Sequence, residues 1–146
     1  MKLVIENFKK KHIDSVFDIM KRNLSDFKPK KNEYNKLWLS YKKDRKLFSV
    51  VASINKKILG HAKIIGHGSL VINSTIRGGK LGYIEDIVVE KKFRHLGYAT
   101  QIVSNLKKIS KEKGCYKIIL QTKNHNIEFY KKNKFKKLGL SMVTFL

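Results

Sequence analysis

Seven consecutive residues, Arg94-His95-Leu96-Gly97-Tyr98-Ala99-Thr100, concentrate the most chemistry in this 146-residue chain. They follow an apolar run that ends at Val89 and precede a stretch whose apolar residues recur at helical spacing. A strand, a tight turn with a glycine and a helix start make an anion cradle. First-turn amides have no acceptor within the helix, and the helix dipole favours negative charge there. Gly97 permits close approach of a pyrophosphate, small Ala99 lets the loop lie low, and Arg94 adds a positive group. The loop lacks the Gly-Lys-Ser/Thr of a P-loop and the three glycines of the dinucleotide fingerprint. Taken alone, it is equally an ordinary helix start with a glycine in its turn.

Glu85 and Asp86 interrupt the apolar run 81–89. Charge in such a strand is unfavourable unless it is partnered or working, although capping a neighbouring loop would also account for it. Consecutive strand residues point to opposite faces, so at most one of the two is expected in a cleft through its side chain. The five histidines have no ligand spacing, and no metal is expected. His12, His61, His67 and His125 read as surface or loop residues, and His95 matters through its backbone. Cys115, the single cysteine, reads as a packing residue. It excludes an internal disulfide and a multi-cysteine zinc site, which suits a reducing cytosol.

The elements that must position these residues follow from periodicity. Residues 2–7 read as a strand, 12–24 as a helix with Ile13, Val16, Phe17, Met20 and Leu24 on one face, and 32–43 as a more polar helix anchored by Trp38. Strands are expected at 48–54, 58–65, 70–76 and 81–89, with a hairpin turn at 55–57. Ala99, Ile102, Val103, Leu106 and Ile109 define a helix from Leu96 to near Gly114. Strand 117–122, a short helix 126–133 and a last strand 138–146 complete the chain. Hairpins first and a crossover unit second predict one α/β (α+β) domain over 1–146, a mixed sheet of six to seven strands flanked by about four helices.

Lys and Arg number 33 against 11 Asp and Glu, a formal net charge of +22. A nucleic-acid-binding module is the reading this invites. Yet 29 of the cations are Lys and only 4 are Arg, the residue preferred for forked phosphate and base contacts. The basic residues are spread over nearly every segment, and Ile and Asn are abundant beside Lys, as A/T-rich codons would produce. Nucleic acid is therefore disfavoured as a partner. No apolar run approaches the roughly 18 residues of a membrane span, and the N-terminus lacks a signal-peptide core. A cytoplasmic protein without membrane contact is expected.

Arg94-x-x-Gly97-x-Ala99 resembles the acetyl-CoA signature of the GNAT acetyltransferase superfamily. Asn126-Ile127-Glu128-Phe129-Tyr130, followed by Phe135, resembles its second hallmark, with Lys134 where a glycine is usual. Gly82-Tyr83-Ile84-Glu85-Asp86-Ile87-Val88-Val89 and Gly114-Cys115-Tyr116-Lys117-Ile118-Ile119-Leu120 are similar to segments of the eukaryotic-type glucosamine-6-phosphate N-acetyltransferases. This closer likeness spans about 77–140.

The resemblance implies an acetyl-CoA-dependent N-acetyltransferase, a homodimer, whose acceptor is glucosamine 6-phosphate. It implies that Ile87, Val88 and Val89 hold the pantetheine arm through main-chain groups, as if it were an added strand. Arg94 and residues His95, Leu96, Gly97, Tyr98, Ala99 and Thr100 would hold the pyrophosphate, and Asn126 would line the same tunnel. Amides around Val88 and Val89 would stabilise the oxyanion, and Tyr130 would serve the departing thiolate. Glu85 and Asp86 would face the amino sugar, while Tyr116 and Lys117 would reach it across the dimer. Gln121 stands where that family has a carboxylate near the amine, and Phe145 where it has an arginine for the phosphate. Gln can orient an amine but cannot take its proton. Another amine, on a protein lysine, a protein N-terminus or a polyamine, therefore stays open as the acceptor, as does a CoA-binding protein without turnover.

Overall fold

The computed structural model describes residues 2–55 and 62–146. The tip of the expected 55–57 turn, the start of the expected strand 58–65 and His61 lie outside them. In chain order the elements are β1 (Leu3–Asn7), α1 (Ile13–Asn23), α2 (Tyr34–Lys43), β2 (Leu47–Asn55), β3 (Ala62–Thr75), β4 (Gly79–Val89), α3 (Tyr98–Glu112), β5 (Cys115–Leu120) and α4 (Ile127–Lys132). The strands form one sheet in the order β1-β2-β3-β4-β5. All neighbours are antiparallel except β4 and β5, which run parallel with α3 as their crossover.

Each face of the sheet has its own core. Ile13, Val16, Phe17, Ile19 and Met20 give α1 an apolar stripe that packs with Tyr34 of α2, Phe8, Val51 of β2 and Val88 of β4. Trp38 meets the Phe8 ring edge-on at 5.2 Å. On the opposite face Ile102 and Leu106 of α3 sit on Val50, Ala52, Ile54, Ile65, Leu70, Ile84 and Val89. Gly66 and Gly68 let α3 approach closely: a Cβ at Gly68 would lie 2.6 Å from Ile102 and 2.7 Å from Ile87. Such crowding has no room for even one methyl group.

Two sequence expectations need correction. The described part of the strand expected at 58–65 and the strand expected at 70–76 are joined in one strand, β3, which continues through Gly66-His67-Gly68-Ser69. The glycines there serve helix packing rather than a turn. No strand forms at 138–146, so the described sheet has five strands, not six or seven. Lys134 and Gly139 both take positive φ, which interrupts an extended run. The residues beyond leave Leu140, Met142 and Phe145 more than 90% exposed, with the outer edge of β5 unpaired in the sheet order.

Candidate active site

The parallel ladder between β4 and β5 pairs Lys80 with Cys115 and ends at Ile84 with Leu120. Beyond Ile84 β4 runs on without a pair in β5, which ends at Leu120. On the other edge of β4, His67 pairs with Val88 but Ser69 pairs with Glu85. Gly68 therefore faces two residues, Asp86 and Ile87, and β4 carries a bulge. Asp86 stands at φ 54, a region that residues other than glycine rarely enter. Past the bulge the edge of β4 that faces away from β3 has no strand partner, which leaves a gap beside its main chain.

The bulge also alters the acidic pair. Ile84 and Ile87 both pack in the α3-side core, so the two residues between them turn away from it together. Glu85 and Asp86 are both exposed, which strict alternation does not allow. The Asp86 carboxyl is pushed up, first by loss of hydration and then by the carboxylates of Glu85 and Asp26. Asp26 belongs to the connection between α1 and α2, and its place beside this pair has no motif to announce it.

After the bulge the strand is regular again. The Glu90 N–H donates to the Ile65 carbonyl at 2.8 Å, so alternation turns the main-chain groups of Val88 toward β3 and those of Ile87 and Val89 toward the gap. The side chains alternate too: Val88 is buried under α1, while Val89 and Ile87 pack on the α3 side.

At the mouth of the gap stands α3. Gly97 is its N-cap residue at φ 80, with no side chain capping the first turn, and His95 also takes positive φ, at 62. The first intrahelical bond runs from the Gln101 N–H to the Gly97 carbonyl, so the amides of Tyr98, Ala99 and Thr100 precede the ladder. His95, Leu96, Gly97 and Thr100 are exposed, and Tyr98 and Ala99 half-buried. Arg94 is also exposed, but its Nε donates to the Val89 carbonyl at 3.0 Å and its Nη2 to Asn23 Oδ1 at 2.6 Å. It thus straps the loop to the end of α1 as well as lending it charge. A second strap, Arg22 to Glu90 at 2.6 Å, runs beside it.

Tyr130 lies on α4, half-buried between the rings of Phe129 and Phe135 at 4.9 and 5.7 Å. Burial pushes its phenol up, so it keeps its proton at neutral pH. Asn126 is exposed at the start of α4. Gln121, just past β5, donates to the Ser141 hydroxyl. Tyr116 and Lys117 are not brought to the gap within the chain. Lys117 pairs with Leu81, about 10 Å along the strand from the last pair, Ile84 with Leu120. Tyr116 instead lies against Gly79, in a hollow shared with Thr75, Arg77 and Lys80.

Two histidines differ from their sequence reading. His12 is buried, with its Nε2 3.2 Å from Glu6. His67 is buried in β3, between Ser49 and the Asp86 carbonyl. The clue to both is their place next to strand or helix positions that alternate inward. Among the described residues no group of three or more His, Cys, Asp or Glu side chains is placed to hold a metal ion.

A mixed sheet whose fourth strand has a bulge and an unpaired edge beyond it, followed by an uncapped helix start, can hold an extended anionic thioester along main chain and present its carbonyl to amides. Residues 13–135 match the Acetyltransferase (GNAT) family, and the chain belongs to that family. It is an N-acetyltransferase of the acetyl-CoA-dependent GNAT type. It is 35% identical over 127 residues to glucosamine 6-phosphate N-acetyltransferase 1 of Dictyostelium discoideum, covering 86% of this chain and 79% of the relative. In fold it is similar to an acetyltransferase of Trypanosoma brucei, with a TM-score of 0.86, 24% identity and coverage of 99% and 100% of the two chains. Glucosamine-6-phosphate N-acetyltransferase of Arabidopsis thaliana superposes with a TM-score of 0.85 at 22% identity, covering 99% of each chain.

Proposed function

We propose that this enzyme acetylates the amino group of glucosamine 6-phosphate and works as a homodimer. The observation that carries the acceptor is the likeness to a curated relative of that name over most of both chains. The pair Glu85–Asp86 at the bulge gives an amine a place to bind, and the raised Asp86 carboxyl suits a group that takes its proton. Acetyl-CoA then lies along Ile87 to Val89 with its pyrophosphate on the α3 amides. The neutral amine attacks the thioester carbonyl, whose oxygen draws on gap-facing amides, the C–S bond breaks, and Tyr130 gives a proton to the leaving thiolate.

The dimer is supported by the apolar residues beyond Gly139. Leu140, Met142, Val143 and Phe145 are all exposed there, and so many large apolar side chains close together in sequence invite a covering partner. The open edge of β5, with Tyr116 61% exposed and Ile119 37%, offers it a strand to pair with. In that arrangement Tyr116 and Lys117 of one protomer serve the gap of its partner, and Arg77 and Lys80 bring cations that Phe145 does not supply. Phe145, exposed at the position where the resembled family has an arginine for the phosphate, favours a second reading: an unphosphorylated amine. The test is acetyl-CoA consumption against a panel of amines, with glucosamine 6-phosphate expected to be the best. Faster turnover of glucosamine or a lysine peptide would replace the first reading by the second.

A further inference from the structure

We propose that buried His67, pinned by Ser49, is a positioning residue for the reaction: it holds the Asp86 carbonyl and so fixes the β4 bulge that aims the following amides at the thioester carbonyl. The inference rests on the reading of the unpaired end of β4 as the thioester's seat.

A left-handed aspartate inside a strand persists only where its surroundings over-determine it. At the bulge the ladder is broken, and the carbonyls of Glu85 and Asp86 need donors. Side chains of β3 supply both. Ser69 Oγ donates to the Glu85 carbonyl at 3.1 Å, and His67 Nδ1 lies 3.1 Å from the Asp86 carbonyl. A carbonyl only accepts, so Nδ1 carries the proton and Nε2 of the neutral ring is the acceptor. Ser49 Oγ, 2.6 Å from Nε2, donates to it and locks that tautomer.

The ring has no freedom to leave. It is 4% exposed, and Phe8 meets it at 80° with centroids 6.2 Å apart. On the far face of β3, any Cβ at Gly66 or Gly68 would press into Val88 or Ile102, so the strand cannot shift toward α3. Burial pushes the imidazole down to about 4, and the donor therefore stays in place at neutral pH. An apolar side chain could fill the same volume, but it would leave the Asp86 carbonyl without the donor that His67 supplies.

The test compares His67→Leu, which removes both bonds, with His67→Asn, whose amide nitrogen occupies the δ position and keeps a donor. The probe is [1-13C]acetyl-CoA, whose thioester carbonyl band shifts to lower frequency when amides bind it. Wild-type protein is expected to shift the band. His67→Leu should lose most of that shift and at least roughly tenfold in kcat, with the acetyl-CoA Kd changed by less than about threefold. His67→Asn should recover most of both. Were His67→Leu unable to fold, Ser49→Ala, which frees the ring without changing core shape much, should show a partial loss of the shift. A wild-type band and kcat in His67→Leu, a folded His67→Asn no better than His67→Leu, or an unaltered band in Ser49→Ala standing in for it would each overturn the proposal. No shift in the wild type would instead overturn the reading of the seat, and the proposal with it.

Discussion

Tyr130 and His67 show how differently single residues reveal themselves. Tyr130 stands in a recognisable Asn-x-x-x-Tyr pattern, and its environment, a half-buried phenol between two aromatic rings, keeps it protonated. Tyr130→Phe should therefore lower kcat by roughly a hundredfold while the acetyl-CoA Kd stays within about threefold, measured by steady-state kinetics and calorimetry. An unchanged kcat would remove the phenol from the reaction. His67 has no such pattern, because one histidine between two glycines looks alike on a loop and in a buried strand. Its consequence is thermodynamic as well. The folded-state value of about 4 lies below the ordinary 6.5, so between these pH values the unfolded chain binds a proton that the folded one does not. Stability is fully present above pH 6.5 and falls as pH drops toward 4. The loss attributable to this one group is up to about 3 kcal/mol by linkage. Denaturant melts of wild type and His67→Asn from pH 7 to 4 should show the steeper fall in the wild type, and parallel curves would contradict it.

Among the elements, those with a strong period were legible from the residues alone. The stripe Ile13, Val16, Phe17 and Met20 predicts α1, and Ile102, Val103 and Leu106 predict α3, since helical spacing needs no tertiary partner to be seen. The glycine turn that opens α3 was legible too, as Gly97 is the residue that takes φ 80 at the N-cap. The bulge was not: nothing in Ile84-Glu85-Asp86-Ile87 says that an extra residue will be accommodated, because the decision belongs to β3, where Gly68 leaves room and His67 and Ser69 supply donors. The same Gly68 lies between the strands expected at 58–65 and 70–76, and its bare backbone seats α3. Gly68→Ala should lower stability by about 1–3 kcal/mol through overpacking against Ile102 and Ile87, seen as a lower denaturation midpoint. A midpoint equal to the wild type would mean that α3 sits less tightly than described.

For the molecule as a whole, the charge of +22 is the loudest feature of the composition and the least informative about its chemistry. The polyanion a GNAT acetyltransferase takes is CoA, which the proposed function seats on main-chain amides, and one of the four arginines, Arg94, is largely occupied in strapping the loop before α3 to Asn23 and Val89. Single- and double-stranded nucleic acid should show no binding in a titration at physiological salt, and firm binding there would return the charge to functional importance. The sixth strand is missing although the outer edge of β5 is open in the chain, and the proposed dimer would pair that edge with residues beyond Gly139 of a partner. Removing residues 138–146 should convert a dimer to a monomer in light scattering, and an undisturbed dimer would place the interface elsewhere.

Acetyl transfer from acetyl-CoA to a phosphorylated amino sugar beside the bulge of β4 can be followed as thiol release with glucosamine 6-phosphate, glucosamine and a lysine peptide at equal concentration. The highest kcat/KM is expected for glucosamine 6-phosphate, and a higher value for either unphosphorylated amine, or no thiol release with any of them, would refute the proposed function.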